Sequence, residues 1–261
     1  RCESRRPIQA RALPLLRNRI MMLKKIILIN RKITRYFSQP LELNTKFEEE
    51  VKRLSQNASK ILEIGGSDRP LLSTSKLYQY VGVDLDESKN YTGLYDYIHI
   101  GYIKSLDYEG FDLIFSQYLM EHVKDAKLMY HEQLKRVKNG GTIIHVYPLG
   151  IHPFSICSQI AELVGIKRSL ISILRPETIS ITGYKTYYSL GNVYSLKKFL
   201  NNIPNIEYSL HFGYSGSDYF GAFAPIGILV EFFNVICRKF HLTLFASNVI
   251  VTIKLGHEKT S

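Results

Sequence analysis

The sequence predicts an α/β fold in which a mostly parallel sheet is covered by helices on both faces. Short apolar runs alternate with longer amphipathic stretches between residues 60 and 148, which is the pattern of strand–helix–strand units. Two glycines follow the first of these runs, where the tight turn after a buried parallel strand favours glycine. The chain has 261 residues, enough for one large domain or one domain with insertions.

The first unit spans residues 60–86. We expect a short buried strand over 61–64, a helix over 71–77, and a second strand over 80–83 that ends in Asp84. Asp84 lies nineteen residues after the first glycine of the turn. At about this spacing a strand–helix–strand unit places an acidic side chain beside a ribose. The unit therefore predicts a nucleoside site.

The residues around the glycine turn favour a ligand without phosphates. The dinucleotide fingerprint G-x-G-x-x-G needs a third glycine, which is absent from residues 65–70. Asp68 would place negative charge near a phosphate, and Glu63 suits a ligand that carries positive charge. S-adenosylmethionine has a ribose, an ammonium group and a sulfonium, and no phosphate.

Three segments resemble the class I S-adenosylmethionine-dependent methyltransferases. The sequence from Glu63 to Pro70 resembles motif I of this family, E/D-x-G-x-G-x-G, in its variant with Pro near the end. Residues 110–125 resemble motif IV, F-D-x-I/V-x-S followed by E-H-x-x-D. Residues 134–148 resemble the L-K-P-G-G stretch that precedes a strand. The matches occur in order and at the proper spacing, and together with the strand over 80–86 they cover residues 60–148.

The resemblance implies a Rossmann-like seven-stranded, mostly parallel sheet with an antiparallel last strand, and S-adenosylmethionine as the cofactor. It also implies a set of cofactor contacts at the ends of the strands: Glu63, Gly65, Gly66, Ser67, Asp84, Leu85, Tyr102, Ser116 and Gln117. Tyr102 stands where the family has an Asp that binds the adenine amino group. Adenine recognition would then depend on stacking, backbone groups or a neighbouring residue.

The candidate catalytic residues are His122 and His145, each of which could act as a general base for an acceptor. For both, a local hydrogen-bonding role is the open alternative. Tyr147 and His152 lie at or beyond the end of the fifth strand and are candidate substrate contacts. We expect no metal site, because Glu121 and Asp125 lack a second cluster at ligand spacing.

Further elements follow from apolar periodicity and from start and stop signals. We expect a charged helix over 47–54, a third strand near 97–100, a fourth over 112–116 and a helix from residue 118. A helix capped by Asn139-Gly140-Gly141 should precede a fifth strand over 142–147. A helix capped by Ser195 should precede an antiparallel pair of strands over 206–212 and 247–255.

Outside these motifs, the domain of residues 41–256 contains two apolar, aromatic insertions, 149–192 and 213–246. We expect them to form a helical lid over an apolar, bulky or lipid-linked acceptor. The alternative is that they are core helices that only cap the sheet, and this alternative is slightly favoured for residues 219–241. Residues 257–261 form a tail.

The charge is concentrated in an arm over residues 1–40. Of the net charge of +11, the arm contributes +10, from eleven Lys or Arg and one Glu, and the other 221 residues contribute +1, from 23 basic and 22 acidic residues. A nearly neutral body argues against an extended nucleic-acid-binding face. Because Met21-Met22 could be the natural start, residues 1–20 are candidates for upstream or non-native sequence.

Apolar and basic residues interleave over 23–37, which suits an amphipathic helix on an anionic membrane. A transit peptide and a helix packed on the domain are alternatives. No run reaches the ~18 uncharged apolar residues of a membrane-spanning helix. Three widely spaced cysteines favour a reducing compartment, so we expect a cytoplasmic protein, with peripheral membrane contact through the arm as a further option.

Two other functions compete with methyl transfer. A nicotinamide-dependent oxidoreductase is the first, because Tyr194 and Lys198 match Y-x-x-x-K, but no phosphate-binding glycine loop precedes them at the N-terminus. A catalytically inactive binding module on a methyltransferase scaffold is the second, and Tyr102 in place of the family acid motivates it.

Overall fold

The structure, a computed structural model, describes residues 21–22, 25–34, 36, 42–174, 184–215, 220 and 223–256. The predictions for residues 1–20 and for the tail over 257–261 lie outside this part of the chain.

A seven-stranded sheet forms the centre of the molecule. Its strands are β1 (Lys60–Ile64), β2 (Gln79–Asp84), β3 (Tyr97–Ile100), β4 (Phe111–Gln117), β5 (Val137–Pro148), β6 (Ile206–Gly213) and β7 (Asn248–Leu255). They are arranged in the order β3-β2-β1-β4-β5-β7-β6. The pairs from β3 to β5 are parallel, and β7 is antiparallel to both of its neighbours. The predicted mostly parallel sheet with an antiparallel last strand is confirmed.

Helices cover both faces of the sheet. The described helices are α1 (residues 25–34), α2 (Glu42–Ser55), α3 (Ala126–Arg136), α4 (Pro153–Leu163), α5 (Lys167–Leu174), α6 (Val193–Asn201) and α7 (Ala224–Lys239). Successive side chains of β1 point to opposite faces, as in any strand. Ile61 packs with residues of α2 in one core cluster, and Leu62 packs with residues of α3 and α6 in the other.

The helix expected over 71–77 is absent, and that prediction was wrong. Residues 71–77 form bends and turns instead. The backbone N–H of Leu71 donates to the carboxylate of Glu63, and the N–H of Leu72 donates to the hydroxyl of Tyr80. Side chains from β1 and β2 thus provide the hydrogen bonds that a helix would have made internally.

Three boundaries also differ from the predictions. Asn139-Gly140-Gly141 is not a helix cap, because α3 ends at Arg136 and β5 begins at the next residue. The pairing of β4 with β5 shifts its register between Phe111 and Leu113 of β4. The chain after β4 makes a short 3-10 turn, Met120–His122, before α3 begins behind its cap Asp125. The cap of α6 is Asn192, whose side chain accepts the N–H of Ser195, rather than Ser195 itself.

The two insertions meet above the sheet. The first carries α4 and α5, and the second carries α7. His152, the N-cap of α4, bonds to Asn234 in the middle of α7 at 3.0 Å. Within the described ranges, no helix is both long enough and apolar enough to cross a membrane.

Candidate functional site

The glycine turn after β1 lies against the end of β2. Gly65 has a φ of 74°, and its N–H donates to the carbonyl of Val83 at 2.8 Å. Ser67 also has a positive φ, 56°, and its N–H donates to Oδ2 of Asp84 at 3.0 Å. The other oxygen of Asp84, Oδ1, accepts the N–H of Asp86 at 2.9 Å. The sequence-predicted residues of the turn and of β2 are therefore adjacent in space.

Two exposed side chains flank this point. Leu85 follows β2, and Tyr102 follows β3, where Gly101 donates its N–H to the carbonyl of Asp84 at 2.8 Å. Tyr91 approaches from the loop between these strands and donates its hydroxyl to the carbonyl of Asp86. Burial and the charges of Asp84 and Asp86 raise the pKa of Tyr91 to about 12. The strand ends thus present an acid between an aliphatic and an aromatic surface.

Glu63 lies beneath the turn and is buried. Its carboxylate accepts bonds from Leu71 N–H, from the hydroxyl of Tyr80 and from the hydroxyl of Tyr95. Burial raises its pKa to about 7, and the bonds from the two tyrosines and the backbone partly oppose this rise. A Cβ added to Gly66 would lie 2.4 Å from Cδ of Glu63 and from the Tyr95 hydroxyl. Glycine at position 66 is therefore what allows the turn to lie on this carboxylate.

Ser116 and His145 face the core rather than a cleft. The Oγ of Ser116 lies 2.8 Å from Nδ1 of His145, and Nε2 of His145 lies 2.9 Å from Oε1 of Gln133. Since the amide oxygen can only accept, Nε2 carries the proton and Nδ1 accepts from Ser116. Burial lowers the pKa of His145 to about 3, so the ring is neutral at ordinary pH. This geometry supports the alternative of a satisfied buried histidine. Gln117, the next residue, is half-buried at the end of β4.

His152 is also fully engaged. Its Nδ1 accepts the N–H of Phe154 at 3.2 Å, so Nε2 carries the proton and donates to Asn234. Burial lowers the pKa of His152 below its usual value. The ring joins the two insertions and has no nitrogen left to accept a proton.

His122 differs from the other two candidate histidines. Its Nδ1 lies 2.8 Å from the carbonyl of Lys185, which can only accept, so Nδ1 carries the proton in the neutral ring. Its Nε2 then has a free lone pair and lies 3.8 Å from Oε1 of Glu121. Burial lowers the pKa of His122. Of the three candidate histidines, it alone presents a basic nitrogen without a hydrogen bond from the described residues.

Glu121 is a functional candidate that the sequence reasoning weighed only as a metal ligand. Its side chain is 5% exposed, and its Oε2 has no hydrogen-bond partner among the described residues. Burial raises its pKa to about 8, so most of it is protonated at neutral pH. Tyr187 and Tyr188 donate their N–H groups to the backbone carbonyl of Glu121. These partners lie more than sixty residues away in sequence, so no local pattern indicates the contact.

A narrow cleft lies beside Glu121, and it is closed to a water-sized molecule in this structure. It is lined by Met120, Glu121, Ala126, Tyr147, Pro148, Tyr188, Leu190 and Gly191. Tyr147 is the one predicted substrate contact that reaches it. In the part of the chain that the structure describes, no group of three or more His, Cys, Asp or Glu side chains could hold a metal ion.

No family model matches the sequence, and no curated protein matches it. Solved structures do match in fold. A S-adenosylmethionine-dependent methyltransferase from Archaeoglobus fulgidus aligns at a TM-score of 0.50 and 15% identity, over 83% of this chain and 95% of that one. Phosphoethanolamine N-methyltransferase 2 of Haemonchus contortus, solved with S-adenosyl-L-methionine, aligns at 0.50 and 12%, over 85% of this chain and 54% of that one. The plantazolicin methyltransferase BpumL, solved with S-adenosylhomocysteine, aligns at 0.49 and 14%, over 93% of this chain and 100% of that one.

The first two of these alignments reach a TM-score of 0.50 and extend over more than four fifths of this chain. The chain has the class I S-adenosylmethionine-dependent methyltransferase fold.

Proposed function

We propose that this protein is an enzyme that transfers a methyl group from S-adenosylmethionine to a small-molecule, sugar or lipid-like acceptor. The observation that carries the proposal is the junction of Ser67 and Asp84, which places a carboxylate at the glycine turn in the crevice outside the parallel strands. The fold is the same as that of enzymes with this chemistry.

The residues of this junction fit the nucleoside half of S-adenosylmethionine. Each oxygen of Asp84 accepts one backbone N–H. A carboxylate oxygen has about two acceptor sites, so one on each oxygen remains for the ribose hydroxyls. Leu85 and Tyr102, exposed on either side, would cover the adenine, and stacking on Tyr102 would compensate for the missing family acid.

Glu63 contributes differently from the family expectation. Its carboxylate already has three protein partners, so its contribution in this chain is to hold the turn in place. Direct contact between Glu63 and the ammonium group of the cofactor stays a prediction from the resemblance.

The same region disfavours a dinucleotide. Pyrophosphate binding in dinucleotide folds uses the N-terminus of the helix that follows the glycine turn. The described residues 66–78 contain no α-helix, so they offer no helix N-terminus to a pyrophosphate. Asp68 lies 3.5 Å from Nζ of Lys89 and 3.7 Å from Nε of Arg69, so its charge is paired and does not by itself exclude a phosphate. The nicotinamide alternative therefore has less support than methyl transfer.

S-adenosylmethionine supplies a methyl group already activated by its sulfonium. The protein must then position the acceptor and, where the acceptor is a weakly acidic hydroxyl, remove its proton. We assign proton removal to Nε2 of His122, whose tautomer is fixed by the carbonyl of Lys185. The proton passes from the acceptor hydroxyl to Nε2, while the acceptor oxygen bonds to the methyl carbon and the carbon–sulfur bond of the sulfonium breaks. Where Glu121 is already ionised, its carboxylate beside Nε2 would stabilise the imidazolium.

The region of the narrow cleft beside Glu121 is the proposed acceptor site, and the cleft must widen to admit an acceptor. Tyr147 lies in its wall, while His152 holds α4 against α7 and acts on the acceptor only by shaping the lid. We also propose a cytoplasmic location, because Cys157 and Cys237 are free thiols.

The test is thermal stabilisation of the full chain by candidate cofactors. S-adenosylhomocysteine should raise the melting temperature, since a ligand at about one hundred times its Kd adds about 2.7 kcal/mol to the free energy of unfolding. NAD and NADP at the same concentration should have no effect. Stabilisation by a nicotinamide nucleotide alone would favour the oxidoreductase, and no response to millimolar S-adenosylhomocysteine would favour the inactive module.

A further inference from the structure

The helix α7 buries a glutamate and an asparagine among small and apolar residues, and it exposes large apolar side chains on its other face. Glu231 and Asn234 lie on its buried face. Asn234 bonds to His152 at 3.0 Å, and Glu231 lies 3.5 Å from the guanidinium of Arg238. The exposed face consists of large apolar side chains: Ile226, Ile228, Leu229, Phe232 and Val235. A helix on the surface of a water-soluble domain normally has the opposite arrangement.

The helix α1 repeats this arrangement and packs against α7. Thr34 is fully buried, and a Cβ added to Gly227 of α7 would lie 2.6 Å from its Cγ2. Positions 27, 30, 31 and 34 are half-buried or buried, and three of them are polar. The residues that point outward are again mostly apolar: Ile26, Leu28, Ile29 and Ile33. Glycine at position 227 lets the two helices approach closely.

The helix α4 adds a third exposed apolar surface. Its one fully buried residue is Ser155, and its exposed residues include Ile156, Ile160 and Leu163, the last of which is 88% exposed. Val164 and Ile166 continue the apolar surface beyond the helix. The bond between His152 and Asn234 holds the start of α4 against α7, so all three helices meet in one region of the molecule.

Basic side chains accompany these apolar surfaces. Lys25 and Lys32 are exposed on α1, Arg168 is exposed on α5, and Lys239 is exposed at the end of α7. The acidic residues on these helices are neutralised or covered: Glu162 pairs with Lys167 at 2.7 Å, and Glu231 is buried. The arm over residues 1–40 adds a net charge of +10 in sequence. The region is therefore apolar and basic, with its acids paired or covered.

We propose that α1, α4 and α7 form a docking face that lies in the interface of an anionic lipid bilayer. Apolar helix faces with basic neighbours are what interfacial helices present to anionic lipids. The face is built from the exposed sides of three helices, which suits a position in the plane of the membrane interface. Apolar exposure of this extent marks an interaction surface rather than ordinary solvent contact. This inference goes beyond methyl transfer and does not depend on it.

The absence of tryptophan from the sequence allows a direct test. Leu229→Trp, at a position 67% exposed on α7, places a single fluorescent reporter on the docking face. Leu128→Trp, at an exposed leucine of α3 outside that face, is the matched control. With vesicles of equal parts phosphatidylglycerol and phosphatidylcholine, the emission of Leu229→Trp should shift to shorter wavelength, and brominated lipids should quench it. The emission of Leu128→Trp should not change.

Vesicle sedimentation gives an independent readout. The double variant Leu229→Glu with Phe232→Glu should lower the partition onto anionic vesicles at least about tenfold, since it replaces two exposed apolar side chains with charges. Leu128→Glu should bind like the unsubstituted protein. Binding should weaken with added salt and on pure phosphatidylcholine.

Three outcomes would overturn the inference. One is an equal partition of all variants. Another is that the emission of Leu229→Trp does not change when vesicles are added, although this variant has the same melting temperature as the unsubstituted protein. The third is that the unsubstituted protein does not bind vesicles but self-associates, and that the double variant is monomeric. That result would assign the face to a second copy of the chain.

Discussion

Ser67 donates its backbone N–H to Oδ2 of Asp84 at 3.0 Å, which joins the turn after β1 to the end of β2. Ser67 holds a positive φ of 56° to make this bond. Residues without glycine's freedom rarely adopt this conformation. The backbone therefore fixes the carboxylate in place before any ligand arrives. A nucleoside that binds there does not have to order this side chain, which lowers the entropic cost of binding.

We expect Asp84→Ala to weaken the binding of S-adenosylhomocysteine by about 1–3 kcal/mol, because the ribose hydroxyls lose their acceptor. Isothermal titration calorimetry on the full chain measures this change. Asp86→Ala is the matched control, since the Asp86 carboxylate bonds to Ser88 in the exposed loop. Equal affinity of Asp84→Ala and the unsubstituted protein would contradict the assigned role.

We expect His122→Ala to lower kcat for methyl transfer to a hydroxyl acceptor by about 10²–10⁴-fold, the usual contribution of a general base. KM for the cofactor should not change, because His122 makes none of the proposed cofactor contacts. The measurement is transfer of labelled methyl from S-adenosylmethionine to an acceptor recovered from cell extract. His131→Ala, at an exposed histidine of α3, should keep full activity. A loss of less than about threefold in His122→Ala would exclude His122 as the base.

Glu121 should make the protein less stable as the pH rises. Its pKa is about 8 in the folded protein and about 4.3 in an unfolded chain. Between these values the folded protein keeps a proton that the unfolded chain has lost. The free energy of unfolding therefore falls with rising pH in this window, by at most about 1.4 kcal/mol per pH unit from this one group.

Glu121→Gln removes this titration, so its stability should vary less between pH 5 and pH 8 than that of the unsubstituted protein. Urea unfolding at several pH values measures the difference. Glu132→Gln serves as the control, because bonds to Lys135 and Arg136 lower the pKa of Glu132 and it stays ionised throughout this window. Parallel stability curves for Glu121→Gln and the unsubstituted protein would show that Glu121 is not buried.

The bond between His152 and Asn234 should couple the two insertions. A double-mutant cycle of His152→Ala and Asn234→Ala should give a coupling of about 0.5–3 kcal/mol in the free energy of unfolding, as expected for a contacting buried pair. Asn201→Ala combined with His152→Ala provides the reference, since Asn201 bonds to Tyr208 instead. A coupling no larger than in this reference pair would mean that the two insertions move independently.

The strands could be predicted because their signal is local. Apolar runs such as Ile61–Ile64 end at glycines or acids, and the structure has strands at these places. The failed helix over 71–77 shows the limit of such signals. Pro70 and the run Ser73–Ser75 are poor helix formers, and the hydrogen bonds that replace the helix come from Glu63 and Tyr80 in other elements.

The candidate site could be predicted only in part, for the same reason. Asp84 and the glycine turn lie at the ends of neighbouring strands, so topology brings them together. The backbone carbonyl of Glu121 bonds to Tyr187 and Tyr188, and the ring of His152 bonds to Asn234. Pairings of this kind span more than sixty residues and leave no periodic pattern in the sequence.

The position of β7 bears on how the chain is made. β7 is the last of the described strands in sequence, yet it lies between β5 and β6, and β6 pairs with no other described strand. During synthesis on a ribosome, β6 therefore has no neighbour to pair with until residues 248–255 have emerged. The edge from β5 to β6 must assemble after translation of these residues, while the half from β3 to β5 can form earlier. A stop codon within β7 would consequently deprive β6 of its described neighbour and leave β5 paired with β4 alone among the described strands.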